Sequence, residues 1–349
     1  MTEMTNDLYK AIFAMDAYNR GYASSIDYGQ SDVVNTQIGE AYISATRGQA
    51  DAIGIGFYGV AYSLSGETII SYRGTDFLNG DRSQGIGADT LYGYGLGGGI
   101  PDLAPQGNMA IEFYKGIVET VYGTGVDLNS PALNVSLTGH SLGGGLAGYV
   151  ADLYGQDAVI FDNMSFEDSA AAAYTLSLIV PNYELGTLIY GSETPWNPNI
   201  AGIRGYYAQG DNALFDDDFL SNLRYLQTTN MTPLDLGSDV ELPGFYFLDG
   251  LDAHSMSTLA ILLYADVTAG GVTDWKNAAK YFWPVMYDKD FAESIEFNNS
   301  TTLAGRDHDS GDYASIMRQA LAYSIIDEGT TIFGDTGIRA FYDDANDFG

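Results

Sequence analysis

The chain has 349 residues, of which 46% are hydrophobic, so it is long enough to bury a large core. Asp and Glu total 46 against 14 Lys and Arg, which gives a formal net charge of -32. A field of this sign repels nucleic acids and anionic membrane surfaces, so neither is expected as a partner. The chain contains no cysteine, which excludes disulfides and thiolate metal sites.

Neither a signal peptide nor a transmembrane helix is predicted. The N-terminal residues Met-Thr-Glu-Met-Thr-Asn-Asp lack the basic start and apolar stretch of a secretory signal. The most apolar windows, residues 170–180 and 259–267, are too short to span a bilayer. Export through a C-terminal signal would leave no N-terminal trace, so the cytoplasm and the outside of the cell both stay open at this point.

The first hundred residues predict a helix, a hairpin and a loop, in that order. Apolar residues recur at helical spacing over residues 4–22. Two apolar runs, 57–64 and 67–72, are separated by Ser65-Gly66, which predicts a β-hairpin. Residues 76–100 contain eight glycines interleaved with apolar and aromatic residues. This mixture predicts a mobile glycine-rich flap over an apolar pocket, with an irregular surface loop as the alternative.

The clearest chemical motif lies in the stretch from Leu133 to Tyr149. It begins with alternating apolar and polar residues, which predict a buried strand, and continues into Gly139-His-Ser-Leu-Gly143. That segment, called the elbow below, matches the G-x-S-x-G pattern, in which the backbone passes from a strand to a helix in one tight turn. Such a turn holds the Ser141 hydroxyl out at the sheet edge and leaves the Leu142 amide free to bind a developing oxyanion. Ser141 is therefore the candidate nucleophile, although a glycine-rich turn can also serve close packing alone.

Alternating strands and helices surround the elbow. We expect a helix over 104–121, a strand over 157–161, an alanine-rich helix over 167–180, a strand over 199–209, a helix from 254 and a last helix over 313–326. Alternation of this kind is typical of an α/β fold with a mainly parallel sheet flanked by helices. We expect one domain over residues 1–349, with a core at about 50–330 and an acidic tail.

A serine nucleophile needs a base, and histidine is the usual one. The chain has three histidines. His140 lies beside Ser141, where neighbouring side chains diverge, which favours a structural or pocket role. His308 lies in a polar loop and is the second choice. His254 opens a late helix on a loop edge, the usual place of the base in α/β-hydrolases, and is the candidate base.

The base in turn needs a carboxylate that lies between serine and histidine in the chain and follows a strand. Asp211 meets both conditions, because Gly210-Asp211 follows directly after the strand predicted over 199–209. It is the candidate acid. The other acidic residues considered for this role are Asp216, Asp217, Asp218, Asp235 and Asp252.

A second oxyanion donor is predicted upstream of the elbow. The strand at 67–72 runs into Arg73-Gly-Thr75, where the amide and hydroxyl of Thr75 could point at the reacting carbonyl oxygen. The alternative is an ordinary strand-ending turn in which Arg73 pairs with a carboxylate.

These motifs resemble the class 3 lipases, the fungal-type triacylglycerol lipase family of α/β-hydrolases, and especially its bacterial branch. The resemblance covers residues 57–266 and is carried by Tyr72-Arg-Gly-Thr75, Thr138-Gly-His-Ser-Leu-Gly-Gly144 and His254-Ser-Met. It implies an α/β-hydrolase-like fold and ester hydrolysis through an acyl-enzyme. In that mechanism Ser141 is the nucleophile, His254 the base, an Asp the orienting acid, and Thr75 with the Leu142 amide the oxyanion hole.

The resemblance also sets the remaining expectations. Bacterial members are found in acidic secreted proteins, so we expect an extracellular protein without an N-terminal signal peptide. No cofactor is expected; Asp307, Asp309 and Asp312 fit an EF-hand loop poorly, and a solvated turn is favoured over calcium binding. The function predicted is that of a lipase or esterase. The alternatives are a phospholipase A1 or acyltransferase on the same triad, and a non-catalytic acidic binding module. The oligomeric state is not predicted.

Overall fold

A computed structural model describes the parts of the chain that form the sheet and its covering helices. They are residues 3–19, 34–47, 56–75, 93, 95–100, 105–179, 202–208 and 240–242, with 256, 257, 259, 260, 262 and 263. The sheet in these residues consists of a two-residue strand and seven longer ones, in the order β1-β2-β3-β4-β5-β6-β7-β8.

The first half of the sheet is antiparallel. Its strands are β1 (Gln37–Ile38), β2 (Ala41–Arg47), β3 (Gly59–Leu64) and β4 (Glu67–Tyr72). Ser65 and Gly66 join β3 to β4 with φ of 51° and 88°, the left-handed pair typical of a two-residue hairpin turn. The predicted hairpin is confirmed.

The second half of the sheet is parallel. Each strand from β5 onward lies beside its predecessor and runs in the same direction: β5 (Val135–His140), β6 (Asp157–Phe161), β7 (Ile203–Ala208) and β8 (Val240–Leu242). The α/β class is therefore confirmed, whereas the expected mainly parallel sheet is in fact mixed. Two of its three antiparallel pairs, β1–β2 and β3–β4, are joined by connections of two residues, and a turn of this length cannot join parallel strands.

Helices cover both faces of the sheet. They are α1 (Glu3–Asp16), which continues into a short 3₁₀ turn at Ala17–Asn19, α2 (Pro105–Tyr122), α3 (Leu142–Tyr154) and α4 (Glu167–Ile179). Helix α3 contacts α2 and α4, and α1 contacts β4, β5 and β6. The helices expected before and after the elbow are thus confirmed. In the described part of the chain, none of the helices combines the length and apolar character required to cross a bilayer.

The main core lies between the sheet and helices α2, α3 and α4. On β5, Val135 and Leu137 face this core, and Leu137 is fully buried. Tyr72 is also fully buried, and its hydroxyl donates to the Ala110 carbonyl at 2.8 Å. Each large side chain removed from water in this way stabilises the fold by about 1.5–3 kcal/mol.

Helix α1 lies on the opposite face and makes polar contacts there. The Thr138 hydroxyl of β5 donates to the Lys10 carbonyl at 3.2 Å. The Lys10 ammonium lies 3.3 Å from the Glu67 carboxylate, which also accepts from the Ser136 hydroxyl. Burial pushes the pKa of Glu67 upward, but the Lys10 charge and the hydrogen bonds outweigh it and hold that pKa below its usual value. The polar side of β5 is therefore as buried as its apolar side.

Part of the glycine-rich segment is packed against α4. Residues 95–100 form a turn, and Leu96 is buried in the main core. The Ser169 hydroxyl of α4 donates to the Leu96 carbonyl at 2.5 Å. The C-terminal end of the predicted flap is thus a packed turn, while residues 76–92 and 94 lie outside the described residues.

Candidate active site

The elbow has the predicted backbone geometry. Strand β5 ends at His140 and helix α3 begins at Leu142, so Ser141 alone makes the turn. Ser141 has φ of 57° and ψ of -124°. A positive φ is costly for a residue with a Cβ, by about 1–3 kcal/mol, and such strain concentrates at functional sites. The strand-turn-helix prediction is confirmed, and the role of Ser141 as nucleophile stays a prediction.

The two outer glycines of the elbow are required by close backbone approach. A Cβ on Gly139 would lie 2.2 Å from the Gly143 carbonyl oxygen. A Cβ on Gly143 would lie 2.1 Å from the Tyr72 carbonyl oxygen, on the neighbouring strand β4. Any larger residue would therefore separate the start of α3 from the sheet, which explains the glycines of the motif in physical terms.

Backbone hydrogen bonds hold Ser141 on both sides. Its N–H donates to the Phe161 carbonyl at the end of β6, at 3.0 Å. Its carbonyl accepts from the amides of Gly145 and Met164, at 3.1 and 2.9 Å. The Ser141 side chain makes no capping bond to the helix that it precedes. The strained turn is thus fixed through its backbone, and its half-buried side chain is not used as a helix cap.

The two predicted oxyanion donors lie on neighbouring elements. The Leu142 amide is at the N-terminus of α3, whose first turn carries no acidic residue. The first amides of a helix have no partner inside the helix, and together with the helix dipole they make its N-terminus favourable for negative charge. Thr75 is 3% exposed and follows Gly74, where an added Cβ would lie 2.4 Å from the His140 carbonyl oxygen. The end of β4 and the elbow are therefore in direct contact, as an oxyanion hole built from these two residues requires.

Arg73, which precedes this contact, packs on an aromatic ring. Its guanidinium carbon lies 5.1 Å from the ring centroid of Tyr58, and its amide donates to the Tyr58 carbonyl at 3.0 Å. These contacts fix the backbone immediately before Gly74 and Thr75.

His140 has the environment of a structural residue. It is 5% exposed, on the face of β5 that α1 covers. Its Nδ1 lies 2.8 Å from the hydroxyl oxygen of Tyr18, in the 3₁₀ turn after α1. The expectation that His140 has a structural or pocket role, and is not the base, stays a prediction.

The remaining predicted site residues lie outside the described residues. These are His254, Asp211, the alternative base His308, the alternative acids at 216, 217, 218, 235 and 252, and the aspartates at 307, 309 and 312. Met256 and Ser257, which belong to the helix predicted from 254, are helical and buried.

A further acidic residue, which the sequence motifs did not single out, lies near the elbow. Asp162 directly follows β6, has a φ of 38°, and donates its N–H to the Tyr206 carbonyl at 2.9 Å. It is the next residue after Phe161, whose carbonyl binds the Ser141 amide. The signal was present in the sequence, because Asp162 follows the predicted strand 157–161 as Asp211 follows its own strand.

No protein-family model matches this sequence, and no curated protein matches it either.

Proposed function

We propose that the protein is a carboxylic ester hydrolase of the lipase or esterase type, with an α/β-hydrolase-like catalytic domain. The observation that carries the proposal is the backbone of Ser141, which makes a strained one-residue turn between a parallel strand and a helix. The contact of this turn with the strand end before Thr75 supports it, because acyl transfer needs donors beside the nucleophile. The class 3 lipase resemblance belongs to the same proposal.

The proposed reaction has two halves. In the first, the Ser141 oxygen attacks the ester carbonyl carbon while His254 takes the hydroxyl proton and Asp211 orients the imidazole. The Leu142 amide and Thr75 bind the oxyanion. The intermediate collapses, the C–O bond to the alcohol breaks, and His254 returns the proton to the leaving alcohol. In the second half, water attacks the acyl-enzyme with His254 as base, which releases the carboxylic acid and restores Ser141.

The first test is covalent labelling combined with turnover. We expect a fluorophosphonate to label the wild type and Ser44→Ala but not Ser141→Ala, and Ser141→Ala to lose hydrolysis of chromogenic esters by orders of magnitude. Ser44 is a suitable control because it is half-buried like Ser141 and its hydroxyl donates to the Ala61 carbonyl, on strand β3. Labelling of Ser141→Ala at the wild-type rate would contradict the proposed nucleophile. Absence of labelling and turnover in the wild type would favour a non-catalytic binding module.

The second test assigns the base and the acid. His254→Ala is expected to lower kcat/KM by orders of magnitude, and unchanged activity would transfer the role to His308. Asp211→Asn and Asp162→Asn are then compared as a pair, since both residues follow strands of the parallel half and lie between serine and histidine in the chain. A large loss in Asp211→Asn with a small one in Asp162→Asn supports the proposed triad, and the reverse moves the acid to Asp162.

The substrate class is proposed from the apolar and aromatic residues of the segment 76–100, which favour acyl chains or aromatic esters over charged peptides. Esters of graded chain length, with and without calcium, define the acyl preference and any metal dependence. A phospholipid panel separates a triacylglycerol lipase or carboxylesterase from a phospholipase A1, and an added alcohol acceptor reveals acyl transfer.

A further inference from the structure

The peptide group that joins His140 to Ser141 is held at both of its ends. At one end, the Ser141 N–H donates to the Phe161 carbonyl at 3.0 Å. At the other end, the His140 carbonyl oxygen lies 3.3 Å from the Tyr18 hydroxyl, which donates to it. The plane of this peptide defines φ of Ser141, the strained dihedral of 57°. Two hydrogen bonds from different parts of the chain therefore maintain the conformation that presents the serine hydroxyl.

The same Tyr18 hydroxyl also meets the His140 ring. The hydroxyl oxygen and Nδ1 are 2.8 Å apart, and the two rings are in edge contact with centroids 5.7 Å apart. A single proton arrangement satisfies both contacts. Nδ1–H donates to the Tyr18 oxygen, and the Tyr18 O–H donates to the His140 carbonyl. Both contacts are therefore hydrogen bonds when neutral His140 carries its proton on Nδ1, and this is the tautomer that we expect.

Tyr18 also touches the strand end that leads to Thr75. A Cβ on Gly74 would lie 2.1 Å from the Tyr18 hydroxyl oxygen and 2.4 Å from the His140 carbonyl oxygen. Gly74 thus fits against the hydrogen-bonded pair with no space for a side chain. One hydroxyl group consequently lies against the residue before the nucleophile and against the residue before the second oxyanion donor.

We propose that Tyr18 is a positioning residue of the active site, which fixes the His140–Ser141 peptide and its spacing from the Gly74–Thr75 backbone. The expected effect of Tyr18 on turnover rests on the proposed ester hydrolysis. The hydrogen bonds between Tyr18 and His140 can be tested without any activity. Tyr18 touches no reacting atom. It acts through the peptide that sets φ of Ser141, so its loss lowers the rate of chemistry more than substrate binding.

The kinetic test compares two Tyr→Phe variants at the N-terminal end of the chain. Tyr18→Phe is expected to lower kcat about tenfold with KM unchanged, because one hydrogen bond that holds the reactive geometry is lost. The control is Tyr9→Phe, in which the lost hydroxyl accepts from the Glu40 amide at 3.3 Å, away from the elbow. Tyr9→Phe is expected to keep the wild-type kcat. An unchanged kcat in Tyr18→Phe, or a loss that appears in KM alone, overturns the proposal.

A spectroscopic test needs neither activity nor a variant at the elbow. The chain has three histidines, so ¹⁵N-histidine spectra of the wild type can be assigned to His140 by comparison with His254→Ala and His308→Ala. At about pH 9, well above the ordinary histidine pKa, His140 is expected to show the Nδ1–H tautomer. The Nε2–H tautomer overturns the proposal. If the wild type hydrolyses no ester, the ester-hydrolase proposal fails, while the His140 tautomer still decides the hydrogen-bonding role of Tyr18.

Discussion

Replacing Gly143 with alanine is the sharpest test of how the elbow is built. Gly143 lies in the first turn of α3, where its α-carbon faces the end of β4. The added Cβ would be 2.1 Å from the Tyr72 carbonyl oxygen, 2.7 Å from the Arg73 carbonyl carbon and 2.8 Å from the Gly74 nitrogen. All three are backbone atoms, so no side-chain rotation can relieve the overlap. The start of α3 must instead move away from the strand.

The geometry gives the size of the effect. Non-bonded heavy atoms approach to about 3.5 Å, so the helix start must retreat by on the order of 1 Å. Overpacking of this kind typically costs about 1–3 kcal/mol of folding free energy. A displacement of about 1 Å at a catalytic site can lower the rate about 100-fold. We therefore expect Gly143→Ala to lower kcat/KM on a chromogenic ester about 100-fold and to destabilise the protein.

Gly116→Ala is the matched control. Gly116 is exposed in α2, and a Cβ there would meet nothing within 4 Å. The same substitution should stabilise the protein by about 0.5–1 kcal/mol, because alanine loses less backbone entropy in a helix than glycine does. Stability is measured by urea unfolding and activity by ester hydrolysis. A Gly143→Ala variant as stable and as active as Gly116→Ala would refute the close-packing explanation of the elbow glycines.

Two further predictions concern pH. Burial, together with the nearby Glu167 carboxylate, raises the pKa of Asp152 on α3 to about 7. The native protein then keeps a proton that the unfolded chain releases above about pH 4, so the free energy of unfolding falls as pH rises from about 4 to 7. Asp152→Asn should remove this pH dependence. At about pH 8 the variant should be more stable than the wild type by up to about 4 kcal/mol, since each pKa unit corresponds to about 1.36 kcal/mol. Urea unfolding in which both proteins show the same dependence of stability on pH would contradict this. Glu67 has the opposite sign, because its pKa is lowered and its contribution is present at neutral pH and lost as pH falls through that lowered value. Glu67→Gln should therefore have a lower free energy of unfolding than the wild type at neutral pH, and this gap should shrink on acidification. A gap that grows in acid would count against the contact with Lys10.

The elements that could be predicted from sequence are those whose signal is local. The elbow needs a strand, a one-residue turn and a helix within a few positions, and its glycines and alternating residues specify all three. The β3–β4 hairpin was predictable for the same reason, since Ser65-Gly66 supports the left-handed turn conformation. Helix α2 follows from apolar spacing, and its observed bounds are Pro105–Tyr122.

The elements that were missed have weak periodic signals. Strand β2 contains an irregularity in its pairing between Ile43 and Ala45, which breaks the two-residue alternation that marks a strand. Its Tyr42 is 45% exposed, so a large apolar side chain faces solvent where the pattern would predict burial. Strand β8 has three residues, Val240–Leu242, too few to show any period. In both cases pairing with a neighbouring strand, and not the local sequence, decides the conformation.

At the candidate site, too, some features depend on neighbouring residues and others on residues far apart in the chain. The Ser141 turn is specified by neighbouring residues, whereas the contact of His140 with Tyr18 joins positions 122 residues apart. Nothing near either residue specifies the other. The contact depends on how α1 docks on the sheet, which is a property of the folded chain.

The docking of α1 also explains why the polar residues of β5 are buried. Apolar packing alone leaves a helix free to shift along a sheet, whereas hydrogen bonds and ion pairs are satisfied in one position. Helix α1 has such contacts with three strands: Lys10 with Glu67 on β4, the Lys10 carbonyl with Thr138 on β5, and Asp7 with Arg204 on β7. These contacts fix α1 both along the strands and across them. These contacts thereby position the 3₁₀ turn that follows α1 at the end of β5. There the Tyr18 hydroxyl donates to the carbonyl of the His140–Ser141 peptide. The backbone strain at the serine is thus supported by the apolar packing of α3 on one face of the sheet and by a polar helix interface on the other.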